Sequence, residues 1–243
     1  MQFISNILTP RKIINFSDRV IPFLLLATIA LLAVGLIYAL AIAPADYQQG
    51  STVKIMYIHV PSAWLSLAVY ALMSILSIGY LVWRNPASYL IAKAIAPIGA
   101  CFCFICLLTG AIWAKPMWGA WWVWDARLTS VLLLFFIYVG YIILTDSFSN
   151  KQKEASSASI LCVIGMVNIP IIKFSVDWWN TQHQPASFST FEKLADPAIH
   201  NTMLLPLIIM LLAFVSVFML IALVRIKTAL LQKELAGKKL KHK

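Results

Sequence analysis

Charged residues are scarce in this chain of 243 residues. Lys, Arg, Asp and Glu together make up 12% of the sequence, against roughly 25% in soluble globular domains, while apolar residues make up 61%. This composition excludes an ordinary soluble domain. The chain also lacks the alternation of polar and apolar residues that marks the strands of membrane β-barrels. We therefore predict an all-α integral membrane protein, because a helix satisfies its own backbone hydrogen bonds in lipid.

Cysteine is rare as well, and its placement argues against redox or metal chemistry. All four cysteines fall inside apolar segments, and Cys103 and Cys106, although spaced as C-x-x-C, have no His or carboxylate neighbour. A buried thiol in such surroundings behaves as a small hydrophobic residue, so we expect no disulfide or metal site there. The sequence also lacks a glycine-rich phosphate-binding loop and the common hydrolase motifs. Any machinery that hydrolyses ATP would therefore belong to another chain.

Six apolar segments are close to the ~20 residues that a helix needs to cross the hydrocarbon core. They cover approximately residues 21–43, 62–83, 94–113, 128–145, 157–174 and 204–224. We predict a single bundle of six transmembrane helices over residues 1–243, with a basic tail at 225–243. An even number of spans places both termini on the same side of the membrane.

The distribution of charge across the predicted membrane indicates its orientation. The side with the termini carries fourteen Lys and Arg residues and four acidic residues, whereas the opposite side carries five of each. Because basic residues accumulate on the cytoplasmic side, we predict that both termini are cytoplasmic. The excess positive charge then reflects topology and contact with anionic lipid, and it gives no support to a nucleic-acid partner.

A tryptophan-rich segment lies between the third and fourth predicted spans. Four tryptophans occur within ten residues, together with a glycine and an Asp/Arg couple: Trp118, Gly119, Trp121, Trp122, Trp124, Asp125 and Arg127. A helix would place Trp118, Trp121, Trp122 and Asp125 on one face, and a strand would align Trp118, Trp122 and Trp124 instead. Either arrangement forms an aromatic surface at the membrane boundary, and the alternative is an unusually heavy interfacial anchor.

Two histidines flank this segment on the predicted outer loops at 44–61 and 175–203. His59 closes the first of these loops and His183 lies in the last, while no predicted span contains a His. Two imidazoles beside a wide aromatic surface suit haem, whose iron has two axial positions and whose faces stack on indole. Its propionates would need cations, for which Arg127, Lys115 and Lys54 are candidates. A zinc site that adds His200 and Asp177 is the weaker alternative, because its ligand spacing is not typical.

Three motifs resemble those of the haem exporter protein C (CcmC) family, a tryptophan-rich family of cytochrome c maturation. The first is the tryptophan-rich segment followed by Leu128 and Thr129. The second is the stretch from His59 to Trp64. The third is the stretch Trp178-Trp179-Asn180-Thr181-x-His183-Gln184. The resemblance extends to the number of spans and the order of the loops, and it adds Trp178 and Trp179 to the candidate haem-binding residues.

The resemblance implies a protein of the bacterial inner membrane that binds haem b transiently on the periplasmic face. It implies delivery of haem to a membrane-tethered haem chaperone, with an ATP-binding-cassette pair and a small single-span subunit as further partners. Such a protein is a delivery factor rather than a conventional enzyme. Two alternatives remain: a cytochrome c synthase that forms thioether bonds, whose relatives have more spans and more His, and a structural subunit that uses the aromatic residues as anchors.

Overall fold

The computed structural model describes residues 10–179, 181–183 and 199–241, and most of these residues are helical. We number the α-helices in chain order. They are α1 (Pro10–Leu36), α2 (Met56–Trp83), α3 (Pro86–Trp118), α4 (Ala126–Leu144), α5 (Lys151–Gly165), α6 (Asn168–Trp178) and α7 (Asn201–Lys241). A π-helical turn at Ile37–Ile42 extends α1, and a 3₁₀ turn at Ser51–Ile55 leads into α2.

Six helical segments are long and apolar enough to cross a membrane, which confirms the predicted all-α bundle of six spans. They are Pro10–Ile42, Ser51–Trp83, Pro86–Trp118, Ala126–Leu144, Lys151–Trp178 and Asn201–Lys238. Most of them extend past the apolar segments read from the sequence, because helical hydrogen bonding continues into polar turns outside the hydrocarbon core. The helix α7 continues in this way through most of the segment predicted as a basic tail.

The fifth span is broken into two helices, which its continuous apolar pattern does not indicate. α5 ends at Gly165 and α6 begins at Asn168. Pro170 has no N–H to donate to the carbonyl of Met166, so the helical ladder is interrupted at this point. The buried Asn168 side chain donates to the carbonyl of Ser130 on α4 at 2.8 Å, and this bond ties the break to the neighbouring helix.

The core of the bundle relies on tyrosines packed against small residues. Tyr138 of α4 donates its hydroxyl to the carbonyl of Ser66 at 2.7 Å, and Tyr70 of α2 donates to the carbonyl of Cys162 at 3.0 Å. Gly99 makes room for Tyr138, since a Cβ at position 99 would lie 2.3 Å from the tyrosine hydroxyl. These buried hydroxyls join α2, α4 and α5 by hydrogen bonds that need no water.

The two terminal helices pair along one side of the bundle. Thr28 of α1 and Ser216 of α7 share a buried hydrogen bond of 2.6 Å. Ion pairs join Lys227 to Asp18 and Arg11 to Glu234, so the start of α1 and the end of α7 lie together. We call this end of the bundle the termini end. The opposite end carries the tryptophan-rich segment and both flanking histidines, and we call it the site end.

Candidate haem site

His59 lies inside the first turn of α2, so its expected place on a loop is wrong. The helix begins at Met56, and the ring of His59 faces α3. Its Nδ1 lies 3.1 Å from the hydroxyl of Thr109, which itself donates to the carbonyl of Ile105 at 2.6 Å. The Thr109 oxygen is therefore the acceptor and His59 Nδ1–H the donor, which leaves His59 Nε2 with a free lone pair. Trp113 places its ring edge against this imidazole, with 5.7 Å between the centroids.

His183 lies beside the tryptophan-rich segment and is held by a carboxylate. Its Nδ1 donates to Oδ2 of Asp125 at 3.0 Å, and its backbone N–H donates to the hydroxyl of Thr181 at 3.2 Å. The Trp118 ring stands edge-on to the imidazole, with 5.1 Å between the centroids. Burial lowers the pKa of His183, although the Asp125 carboxylate works in the opposite direction. Because Nδ1 carries the proton that is donated to Asp125, the lone pair of Nε2 stays free.

Asp125 connects the start of α4 to His183. Its Oδ1 accepts the N–H of Leu128 at 2.7 Å and so caps the helix, while Oδ2 binds His183. The expected couple between Asp125 and Arg127 is replaced by other contacts. Arg127 donates from Nε to the hydroxyl of Ser175 at 3.1 Å and from Nη2 to the carbonyl of Lys173 at 3.4 Å. Arg127 therefore joins α4 to the end of α6, and Asp125 accepts a hydrogen bond from His183.

His59 and His183 both lie at the site end, whereas His200 lies at the start of α7 and contacts that helix. His59 lies in the first turn of α2, and His183 contacts Trp118 at the end of α3. His200 is exposed and binds Thr202 in the first turn of α7, with 2.9 Å between Nδ1 and Oγ1. Within the described ranges, no three His, Cys, Asp or Glu side chains converge as metal ligands. A zinc site that includes His200 and Asp177 therefore has no structural support there.

The tryptophan-rich segment is neither the helix nor the strand that we considered from the sequence. Trp118 is the last residue of α3, and Gly119 adopts a left-handed conformation with φ of 75°, which ends the helix. The chain then runs without regular structure to Asp125. Trp122 and Trp124 meet edge to face at 5.5 Å, and the side chains of Trp121 and Trp124 are 57% and 78% exposed. The indoles therefore form an open aromatic surface beside His183.

A second pair of tryptophans lies at the C-terminal end of α6. Trp178 ends α6 and stacks on Phe174, with 5.4 Å between the ring centroids. Trp179 lies edge-on to Trp178 at 5.7 Å, and both indoles are about half exposed. An open pocket of about 300 Å³ is lined by Val123, Trp124, Asp125, Thr181 and Gln182. The motif residues Asn180 and Gln184 lie outside the described residues.

The candidate propionate cations already bind backbone carbonyls. Lys54 donates to the carbonyl of Leu40 at 2.6 Å, which the π-helical turn leaves accessible. Lys115 donates to the carbonyl of Gly119 at 2.9 Å. The two lysines therefore help to shape the site end.

Comparison with known proteins shows the family of the chain. A sequence model of the family described as "Heme exporter protein C" matches residues 3–241. The chain belongs to the haem exporter protein C family. Relatives of that name include proteins from Bradyrhizobium diazoefficiens, at 48% identity over 94% of this chain and 85% of the relative, and from Haemophilus influenzae, at 48% over 93% and 90%. The Escherichia coli K12 protein of the same name is 46% identical over 79% of this chain and 78% of its own.

This member of the haem exporter protein C family uses supporting residues that sequence reasoning missed. Thr109 binds His59, and Gly110 leaves room for its ring, since a Cβ there would lie 3.0 Å from His59 Cε1. Ser175 accepts from Arg127, and Gln49 accepts from the indole N–H of Trp113 at 3.0 Å. A Thr-Gly pair in an apolar span is a weak signal, because nothing local indicates which helix it faces.

Proposed function

We propose that this protein binds haem b at the site end and delivers it to a membrane-tethered haem chaperone during c-type cytochrome biogenesis. Haem is the transient cargo, and the protein acts as a delivery factor. His59 and His183 are the proposed axial ligands of its iron. One observation carries the proposal: each imidazole engages Nδ1 with a protein group, which leaves Nε2 available. A neutral imidazole with its proton on Nδ1 and a free lone pair on Nε2 is a form that can ligate iron.

The surroundings of the two histidines suit a porphyrin. Trp118, Gly119, Trp121, Trp122 and Trp124 supply one part of the proposed aromatic surface, and Trp178 and Trp179 supply the other. The indole N–H of Trp122 is buried and has no hydrogen-bond partner among the described residues. A propionate oxygen would satisfy that donor, because an indole N–H can only donate. We propose that Arg127 also donates to a propionate oxygen, through Nη1, because its two described hydrogen bonds use Nε and Nη2.

The proposal includes an orientation and a set of partners. The termini end is cytoplasmic, because it carries the excess of Lys and Arg, and the site end faces the periplasm of a bacterial inner membrane. The proposed partners are an ATP-binding-cassette pair and a small single-span subunit, and they rest on the resemblance to the haem exporter protein C family alone. A green fluorescent protein fused after the C-terminus should fluoresce, and alkaline phosphatase at the same position should be inactive. The reverse pattern would overturn the orientation.

Axial ligation is tested by visible spectra of the full-length protein purified with haem. His59→Ala and His183→Ala should each lose the sharp bis-imidazole spectrum while remaining folded, because helix packing stabilises the bundle. His200→Ala is the matched control and should keep the wild-type spectrum, since His200 interacts with Thr202 in the first turn of α7. An unchanged spectrum in either of the first two variants would remove that residue from the site, and loss of haem in the control would refute the assignment.

A further inference from the structure

The two proposed axial ligands are supported by groups of different chemistry. His183 donates to a carboxylate, that of Asp125, whereas His59 donates to a neutral hydroxyl, that of Thr109. The two hydrogen bonds are similar in length, at 3.0 Å and 3.1 Å, so the difference lies in the charge of the acceptor. The Asp125 side chain is only 9% exposed, which limits competition from water.

A carboxylate acceptor makes its imidazole the stronger electron-pair donor. A charge-assisted hydrogen bond draws the Nδ1 proton toward oxygen and increases the electron density at Nε2. A hydroxyl acceptor does this far less, and the Thr109 hydroxyl also donates to the carbonyl of Ile105, which orients its lone pairs. His183 is therefore the stronger of the two ligands.

The Asp125 carboxylate that accepts from His183 is itself held in place. The second oxygen of Asp125 accepts the N–H of Leu128 at 2.7 Å, so the carboxylate cannot rotate away without uncapping α4. Trp118 contacts the imidazole of the same histidine. His183, Asp125 and the aromatic surface therefore form one connected group on one side of the site. His59 is held separately, between α2 and α3, by its hydrogen bond to Thr109.

We infer that His183 is the retained ligand and His59 the exchanged ligand when haem passes to its acceptor, with Asp125 as the positioning residue that sets this order. The inference rests on the proposed function. In the exchange, the bond between iron and Nε2 of His59 breaks, and the electron pair returns to the neutral imidazole. An incoming neutral donor from the acceptor supplies its own pair, so the oxidation state of the iron does not change. The porphyrin stays on the side of His183 and the tryptophans.

The first test compares haem retention in two single variants of the full-length protein in detergent. His59→Gly should keep haem, bound through His183, and added imidazole should restore a six-coordinate spectrum. His183→Gly should release haem to apomyoglobin at least tenfold faster than His59→Gly does. Equal release rates, or the reverse order, would overturn the inference. If neither His59→Gly nor His183→Gly changes the haem spectrum of the wild-type protein, the proposed function itself is wrong, and not only the order of the ligands.

The second test isolates the charge of Asp125. Asn caps helices about as well as Asp, so Asp125→Asn should preserve the start of α4 while it removes the carboxylate from His183. Loss of such a supporting carboxylate lowers metal affinity roughly 10–100-fold, and we expect haem affinity to fall within this range. The reduction potential of the bound haem should rise, because a weaker donor stabilises ferric iron less.

Matched variants complete the second test. Thr109→Val removes the hydroxyl at nearly constant volume and should change haem affinity less than threefold, with little change in reduction potential. Asp177→Asn removes an exposed carboxylate near Arg127 and should shift haem affinity and reduction potential less than Asp125→Asn does. A potential that is unchanged in Asp125→Asn, or that shifts as much in Thr109→Val, would show that Asp125 only caps the helix.

Discussion

Gly110 of α3 faces the imidazole of His59 across the interface between α2 and α3. A Cβ built on Gly110 would lie 3.0 Å from Cε1 of His59, closer than an ordinary van der Waals contact. The hydrogen bond from His59 to Thr109 lies beside this contact, so the ring is confined on that side. The orientation of the proposed ligand thus depends on a residue without a side chain on the neighbouring helix.

Gly110→Ala should weaken the ligation of haem by His59 without unfolding the bundle. The added methyl group must displace the His59 ring by a few tenths of an ångström, and overpacking of this kind costs about 1–3 kcal/mol. We expect haem to stay bound through His183, with a partial loss of the sharp bis-imidazole spectrum. Gly140→Ala is the control, because a Cβ there would contact only Leu161 Cδ2 at 3.4 Å. Identical spectra in the two variants would show that Gly110 has no role in orienting His59.

The aromatic surface should tolerate one substitution better than two. Aromatic contacts contribute about 0.5–1.5 kcal/mol each beyond the area that they bury, so Trp121→Ala or Trp122→Ala alone should weaken haem retention modestly. The double variant should lose both haem retention and transfer to the chaperone. Trp83→Ala, at the termini end and 64% exposed, controls for the loss of an interfacial indole. Normal retention and transfer in the double variant would make this surface a membrane anchor only.

Arg127→Lys should preserve membrane insertion and protein level but lower haem occupancy or delivery. The guanidinium of Arg127 bridges Ser175 and the carbonyl of Lys173, and a lysine cannot reproduce this fork. Covalent haem on the chaperone, at matched protein levels, measures delivery. Ser175→Ala separates two roles of Arg127, the link between α4 and α6 and the contact with a propionate. If Ser175→Ala loses as much delivery as Arg127→Lys, the link between the helices is the role that matters. If Ser175→Ala delivers haem normally, the contact with a propionate is. Normal delivery by Arg127→Lys would show that Arg127 acts only as a positive charge that sets the membrane topology.

Glu154→Ala should destabilise the termini end and leave the haem spectrum unchanged. The Glu154 side chain is 2% exposed and accepts from Lys151 at 2.7 Å, from Tyr89 at 2.9 Å and from Lys93 at 3.3 Å. Loss of the acceptor for the part-buried Tyr89 hydroxyl costs about 1–3 kcal/mol, so Tm in detergent should fall by several degrees. Asp18→Ala, which removes an exposed ion pair with Lys227, should have a smaller effect. Equal Tm changes would contradict this account.

The number and type of the spans followed from composition, but several boundaries did not. The apolar segment that begins near Ser62 predicts the second span, whereas the helix begins at Met56 and so includes His59. A helix continues wherever its backbone bonds can close, and apolar side chains are needed only in the hydrocarbon core. The break between Gly165 and Asn168 was missed because every residue around it except Asn168 is apolar or glycine. It depends on Pro170 and on the packing of Tyr70 against Gly165.

The sequence by itself determined the all-helical membrane fold, the family and the residue types at the candidate haem site. Apolar runs and the spacing of Trp and His are properties of single segments, so they are readable along the chain. Only the tertiary structure decided which groups pair. Asp125 stands two positions from Arg127 but binds His183, 58 positions away. His59 binds Thr109, 50 positions away. These partners are selected by helix packing, which brings distant residues together and turns adjacent ones apart.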